Sequence, residues 1–237
     1  MPEQTMDPKP LALLIPGLDG TGLLFFRQLE TLGRKYRLFP WSYAPGGDAD
    51  LDGLIRDLGR VTEAEEAATI LVVGESFGGL VALGYALQYP ERVARLVLVN
   101  TFPFYRRRFR IRLAHALAPL LQFRAGRQIK ESVIDRVLRK EGIPAEERER
   151  YQAAVRQVHL EAYRHRLQLI LKADYRPRLG EISAPTILLA SRRDKLVPSI
   201  HEAHYMAARI PNAHVHEFPE AGHALLLTPG FLLADFV

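Results

Sequence analysis

Residues 69–89, TILVVGESFGGLVALGYALQY, restrict the possible folds of this 237-residue chain more than any other stretch. Thr69-Ile70-Leu71-Val72-Val73 is a short continuous run, β-branched at four of its five positions, of the kind a strand buried on both faces requires. Gly74-Glu75-Ser76-Phe77-Gly78-Gly79 follows at once, after which Leu80, Val81, Leu83, Gly84 and Leu87 recur at helical spacing. The order is strand, glycine-rich turn, helix. Gly74, Ser76 and Gly78 fit G-x-S-x-G, in which a sharp turn lifts a serine hydroxyl above a sheet. Side chains two positions either side of that serine would collide with the helix or a neighbouring strand, hence the glycines. Any tight turn favours small residues, but the flanking strand and helix select the nucleophile reading. The side chain of Glu75 is expected to point away from the serine and is given no role.

The chain on either side alternates in the same way. Leu11 to Ile15 is a second buried-strand run, broken by Pro16-Gly17-Leu18-Asp19-Gly20-Thr21-Gly22, and a helix is expected from Leu23 to Leu32, closed by Gly33. Tyr36 to Tyr43 reads as a strand, Asp50 to Glu66 as an amphipathic helix capped by Asp48 or Asp50, and Leu96 to Val99 as a further strand. This βαβαβαβ order predicts a mostly parallel central sheet with helices on both faces. From Thr101 the pattern changes to charged helical stretches, 129–140 and 145–171, separated by Gly142-Ile143-Pro144. Sheet pattern returns at Thr186 to Ala190, then come a helix from Ser199 to Ile210, a strand from Ala213 to Phe218 and a short apolar helix ending at Val237. We expect one α/β domain over residues 1–237, with a helical lid at 101–180 inserted above the strand ends where such sheets place ligands. Leu113, Leu117, Leu120 and Leu121 would line an apolar acyl pocket beneath it.

With 48% hydrophobic residues the chain can fill a full core. It has no cysteine, which rules out disulfides, thiolate metal sites and a thiol nucleophile, and suits a cytoplasmic location. MPEQTMDPKP has acidic residues and prolines where a signal peptide needs a basic start and an apolar core, so a short disordered lead-in is expected. No apolar run reaches the ~18 to 20 residues of a transmembrane span. The net charge of +5 is uneven: residues 101–180 carry +11 and the remainder −6. Phe102 to Arg112 interleaves aromatics with arginines, a pattern shared by nucleic-acid and membrane binders. We read it as a lid helix with its apolar face towards the pocket and its arginines in water, and expect no nucleic-acid partner.

Ser76, Asp194 and His223 occur in the order Ser, Asp, His, each just beyond a strand of the expected sheet, so parallel strands bring their loops to one rim. A serine hydroxyl needs a base as it attacks, the role of His223, and Asp194 would accept the other imidazole N–H and fix the tautomer. Asp194 could alternatively cap the following helix, and His223 be a buried structural residue. The glycine loop at 17–22 would let a backbone N–H approach the serine, so Leu18 and Phe77 are the candidate oxyanion donors. Gly17, Gly20 and Gly22 fit neither a dinucleotide nor a Walker pattern. His201 with His204, and His214 with His216, form pairs without a carboxylate at recognisable ligand spacing. No metal or other cofactor is expected.

The segments Leu14 to Gly22, Gly74 to Gly79 and Ala221-Gly222-His223-Ala224 together resemble the α/β-hydrolase superfamily. They are most similar to its esterase, lipase and thioesterase branch, which includes plastid phytyl ester synthases and diacylglycerol acyltransferases. The resemblance implies an α/β-hydrolase fold with Ser76, Asp194 and His223 as triad, and cleavage of a carboxylic ester or acyl thioester through an acyl-serine. Acyl transfer to a lipid alcohol, carbon–carbon hydrolysis or lysis of a small acid, and a non-catalytic ligand receptor are the alternatives. The substrate is expected to be a small or lipid-like acyl ester, and the lid arginines suggest an anionic carrier such as acyl carrier protein or coenzyme A.

Overall fold

The computed structural model describes residues 9–44, 49–122 and 140–237, together with 128, 131, 132, 134, 135 and 138; at 121 and 122 it describes the backbone alone. Residues 1–8 of the expected lead-in, the alternative cap Asp48, half of 129–140 and the side chain of Leu121 lie outside the described residues.

Among the described residues, six strands form one parallel sheet: β1 (Leu11–Ile15), β2 (Arg37–Pro40), β3 (Ile70–Glu75), β4 (Val93–Val99), β5 (Thr186–Ser191) and β6 (Ala213–Phe218). Their spatial order is β2-β1-β3-β4-β5-β6. β3, flanked by β1 and β4, is buried from Ile70 to Gly74, so both its faces need apolar residues. Alternation along the strands separates two cores. Leu11, Leu13, Val72 and Leu98 join one, under helices α2 (Leu51–Ala64) and α3 (Phe77–Gln88); Ala12, Leu14, Val73 and Val97 join the other, with Leu32 of α1 (Leu29–Gly33) and Leu233.

Asp50 caps α2, its carboxylate accepting the Gly53 N–H at 2.8 Å. α3 is buried from Phe77 to Ala86, which suits its nearly unbroken apolar sequence. The expected helix at 23–32 is instead a 3-10 turn at Leu23–Phe25 followed by the five-residue α1, with Gly22 at φ 70° before it. The left-handed glycine starts a tight turn that the apolar periodicity does not register.

Between β4 and β5 lie α4 (Arg108–Leu117), α5 (Ala145–Arg156) and α6 (Leu160–Lys172); α7 (Ser199–Ala207) follows β5. The expected helix at 145–171 is thus two helices, interrupted at 157–159. α4 corrects a second expectation. Leu113, Leu117 and Leu120 are 55%, 49% and 54% exposed, and Ile111 and Ala114 turn towards the cavity instead. Apolar residues at 109/113/117 and at 111/114 give this ten-residue helix two stripes, and its sequence does not say which is inward.

Candidate active site

The sheet's C-terminal edge assembles the candidate residues. Ser76 sits between β3 and α3 at φ 54°, ψ −116°, a strained conformation for a residue with a side chain. It is held from both sides: its N–H donates to Val99 O at 2.9 Å, and its carbonyl accepts from Gly79 N–H and the Thr101 hydroxyl. The glycines are required by contact. A Cβ on Gly74 would lie 2.5 Å from Gly78 O, and one on Gly78 would lie 2.1 Å from Ile15 O.

His223 follows β6, and its Nε2 lies 3.1 Å from Ser76 Oγ while its Nδ1 lies 2.7 Å from Asp194 Oδ2. Asp194, in the loop after β5, has a side chain with no solvent exposure. Its Oδ1 accepts the N–H groups of Leu196 and Val197 at 2.9 and 3.0 Å, and its Oδ2 also accepts the Ser199 hydroxyl. One oxygen thus organises the turn into α7 while the other faces the imidazole.

Charge in this cluster is set by competition between burial and neighbours. Burial pushes the Asp194 carboxyl up, but His223, Ser199 and the Val197 N–H outweigh it and hold the group below its ordinary value. Burial opposes the charged imidazole of His223, yet Asp194, with Glu75 and Glu141 beyond it, raises its pKa to about 9. Glu75 is itself pushed up to about 7 by burial, against the pull of His223 and the Gly17 N–H.

Glu75 departs from expectation. Its carboxylate lines the same cavity as Ser76 and accepts the Gly17 N–H at 3.1 Å. Strand alternation would send residues 75 and 76 to opposite faces, but the backbone reversal at Ser76 ends the strand before that rule applies. Sequence reasoning also passed over three other residues. Asn100, at φ 46° and buried, donates to Ser191 Oγ, Gly222 O and His223 O, tying the ends of β4 and β5 to the histidine loop. Glu141 packs against Gly222, where a Cβ would overlap its carboxylate. Arg166 of α6 reaches the loop after β1. The position of Asn100 at a strand end was a usable signal; nothing local marked the other two.

Gly17 brings the loop after β1 beside the serine, since a Cβ there would lie 3.4 Å from Ser76 Cβ. Leu18 is in that loop and Phe77 opens α3, and no protein acceptor for either N–H is present among the described residues. A cavity of about 470 Å³ opens over Ser76 and His223, with Phe102, Ile111, Tyr163, Leu167, Ile170 and Val197 among its walls. Its wall is mainly apolar, as in sites that bury a carbon chain and fix it with few polar groups. The histidine pairs lie elsewhere, with His204 on Glu217 at 2.8 Å and His216 edge-on to Phe236. No group of three candidate metal ligands occurs among the described residues, nor any helix long and apolar enough to cross a membrane.

A parallel sheet bearing a strained serine turn, with a helical segment between β4 and β5, defines an enzyme of the α/β-hydrolase type. The chain belongs to the alpha/beta hydrolase fold family, whose model matches residues 11–229. It is 31% identical to the "Putative carbamate hydrolase RutD" of Serratia proteamaculans over 92% of this chain and 86% of that protein. It is 29% identical to the pimeloyl-[acyl-carrier protein] methyl ester esterase of Nitrosomonas europaea, over 84% of this chain and 83% of that one. Among solved structures it resembles a hydrolase from Pseudomonas aeruginosa with a TM-score of 0.79 and 24% identity, covering 92% of this chain and 85% of that chain. These relatives carry different names from the plastid acyltransferases that the motifs resemble.

Proposed function

We propose that this protein is a serine hydrolase that cleaves a carboxylic ester or acyl thioester through an acyl-serine intermediate. The observation that carries the reading is the row Asp194 Oδ2, His223 Nδ1, His223 Nε2, Ser76 Oγ, with links of 2.7 and 3.1 Å, at the floor of an apolar cavity. Ser76 Oγ attacks the acyl carbonyl as its proton passes to His223 Nε2. Asp194 holds the Nδ1–H and stabilises the imidazolium. The N–H groups of Leu18 and Phe77 receive the developing oxyanion, and the imidazolium returns its proton to the leaving oxygen or sulfur. Water then resolves the acyl-serine by the same steps in reverse. The helical segment 101–180 acts as the lid over this cavity, and a cytoplasmic site of action goes with the reading.

Labelling with a fluorophosphonate, followed by turnover of p-nitrophenyl esters, acyl thioesters and a carbamate of graded chain length, tests this. A folded protein that is neither labelled nor active would overturn it. The carbamate belongs in the panel because of the first relative's name. A long-chain alcohol in the assay would divert product to ester if acyl transfer were the reaction.

The pH profile follows from the charge balance. His223 must be unprotonated to accept the serine proton, so kcat/KM rises with pH on its acid limb as the imidazolium, pKa about 9, loses its proton. Glu75 is one of the groups that raise that value. Glu75→Gln removes its charge and is expected to shift the acid limb to lower pH; an unmoved limb would separate Glu75 from the base.

Among the described lid residues, one exposed surface suits an anionic carrier. Many lid arginines are occupied, as Arg106 by Glu202, Arg148 by Asp135 and Arg176 by Asp174. Arg107, at the N-terminal cap of α4, and Arg112, on its outer side with Phe109, Leu113 and Leu117, are exposed. Acyl carrier protein is the carrier this surface suits, consistent with the second relative's name. Arg107→Glu with Arg112→Glu is expected to lower kcat/KM for an acyl carrier protein thioester at least ~10-fold at low salt, leaving a short p-nitrophenyl ester unaffected. Equal rates on the carrier substrate, independent of salt, would remove it.

A further inference from the structure

We infer that Arg166 of α6 is a positioning residue for the oxyanion loop, and that with Glu75 it holds the Leu18 N–H in place from two sides. The inference rests on the serine-hydrolase reading and names the device that sets its oxyanion hole. Two adjoining parts of the loop are restrained. The peptide between Pro16 and Gly17 is held at both ends, its carbonyl by the Tyr43 hydroxyl at 3.2 Å and its N–H by Glu75 Oε2 at 3.1 Å. Beyond it, Arg166 Nε donates to Leu18 O at 3.1 Å and Nη2 donates to Asp19 O at 3.3 Å. Between them, Gly17 O accepts the Gly20 N–H at 3.1 Å. Because a trans peptide is planar, fixing Gly17 O in one direction turns the Leu18 N–H in the other. Glu75 and Arg166 thus bracket the peptide that carries the expected donor.

The guanidinium is built into the site. Arg166 is 5% exposed, its Cζ lies 5.5 Å from the centre of the Tyr43 ring, and a Cβ on Gly20 would come within 2.8 Å of it. No carboxylate forms a salt bridge with it among the described residues, Asp19 favouring its charge from longer range, and its hydrogen bonds are spent on loop carbonyls. Burying a cation is costly, so a group placed there to hold only a surface turn would be an expensive choice.

The helix carrying Arg166 also walls the cavity. Tyr163, Leu167 and Ile170 of α6 line it, and Arg166 is one turn from Tyr163. A carbon chain that packs on these residues bears on the element that holds the loop. Chain length is therefore read in kcat as well as in KM, since the fit of the chain is transmitted to the transition state.

The test uses the full-length protein with Arg166→Gln, Arg166→Lys, Glu75→Gln and Glu75→Leu. Ester turnover is compared with binding of a trifluoromethyl ketone and of the secondary alcohol with the same chain. Ser76 Oγ adds to the ketone carbonyl, its proton passes to His223, and the former carbonyl oxygen becomes an oxyanion; the alcohol forms none. Arg166→Gln is expected to lower kcat by ~10²-fold and weaken the ketone by the same factor, with KM and alcohol affinity within about threefold. Arg166→Lys restores part of the loss. Glu75→Gln, which keeps an acceptor for Gly17, stays nearer wild type in ketone affinity than Glu75→Leu. Unchanged ketone affinity in Arg166→Gln, or equal loss of ketone and alcohol, overturns the inference.

Amide hydrogen exchange provides a readout independent of turnover. Exchange at Gly20, whose N–H donates to Gly17 O, is expected to quicken at least tenfold in Arg166→Gln while α3 is unchanged. Inactive wild type would overturn the hydrolase reading, and exchange would then decide the loop contact by itself. If Arg166→Gln fails to fold, Arg166→Lys and Glu75→Leu carry the same comparisons, with unchanged exchange overturning the role of Arg166.

Discussion

Ser76→Ala is expected to abolish fluorophosphonate labelling and to lower kcat for the best ester of the panel by ~10⁴- to 10⁶-fold. The size follows from the site's construction. Without the hydroxyl no acyl-serine forms, and His223 has only water to activate in a cavity whose walls are mainly apolar. A residual rate remains, because the oxyanion donors and the substrate pocket are still present. The fold should lose little, since the elbow is tied through the backbone of Ser76, to Val99, Gly79 and Thr101, and none of those bonds uses the side-chain oxygen. Alanine also inherits the left-handed φ of 54°, so any strain persists and thermal stability should change only slightly. A variant that folds and still turns over within tenfold of wild type would remove Ser76 from the mechanism.

The parts of the fold that were legible in the sequence are those where local pattern and tertiary role coincide. β1 and β3 are continuous apolar runs because their burial demands it, and G-x-S-x-G is legible because close backbone contacts forbid any Cβ at its glycines. The spacing of Ser76, Asp194 and His223 relative to strand ends carried their placement, since parallel strands leave one rim for all three loops. What escaped depends on contacts between distant segments. Arg166 lies 148 residues from Leu18, and nothing in its helix distinguishes it from the solvated arginines nearby. Glu75 was misjudged because the strand rule was carried one residue too far. The leucines of α4 were misplaced because two apolar stripes on a short helix are equivalent until the packing partner is known.

Asp194→Asn is expected to lower kcat by ~10⁴-fold with the fold intact, because the change reverses one hydrogen bond at a fixed position. Asp194 serves two clients with two oxygens. An asparagine that keeps its carbonyl towards the N–H groups of Leu196 and Val197 preserves the turn into α7, and must then present its NH2 to His223 Nδ1. That nitrogen becomes an acceptor, the ring proton moves to Nε2, and Nε2 can no longer take the proton of Ser76. Ser199 can accommodate the exchange, because its hydroxyl has Val197 O at 3.4 Å as another acceptor. Asp194→Ala loses both functions, so it should match the asparagine variant in rate yet melt at a lower temperature. The two losses separate under measurement: nitrogen NMR of the His223 ring reports the tautomer, and thermal unfolding reports the turn. Should Asp194→Asn retain activity within about tenfold, or keep the Nδ1–H tautomer at high pH, Asp194 would be a cap for the loop alone and the imidazole would need another partner.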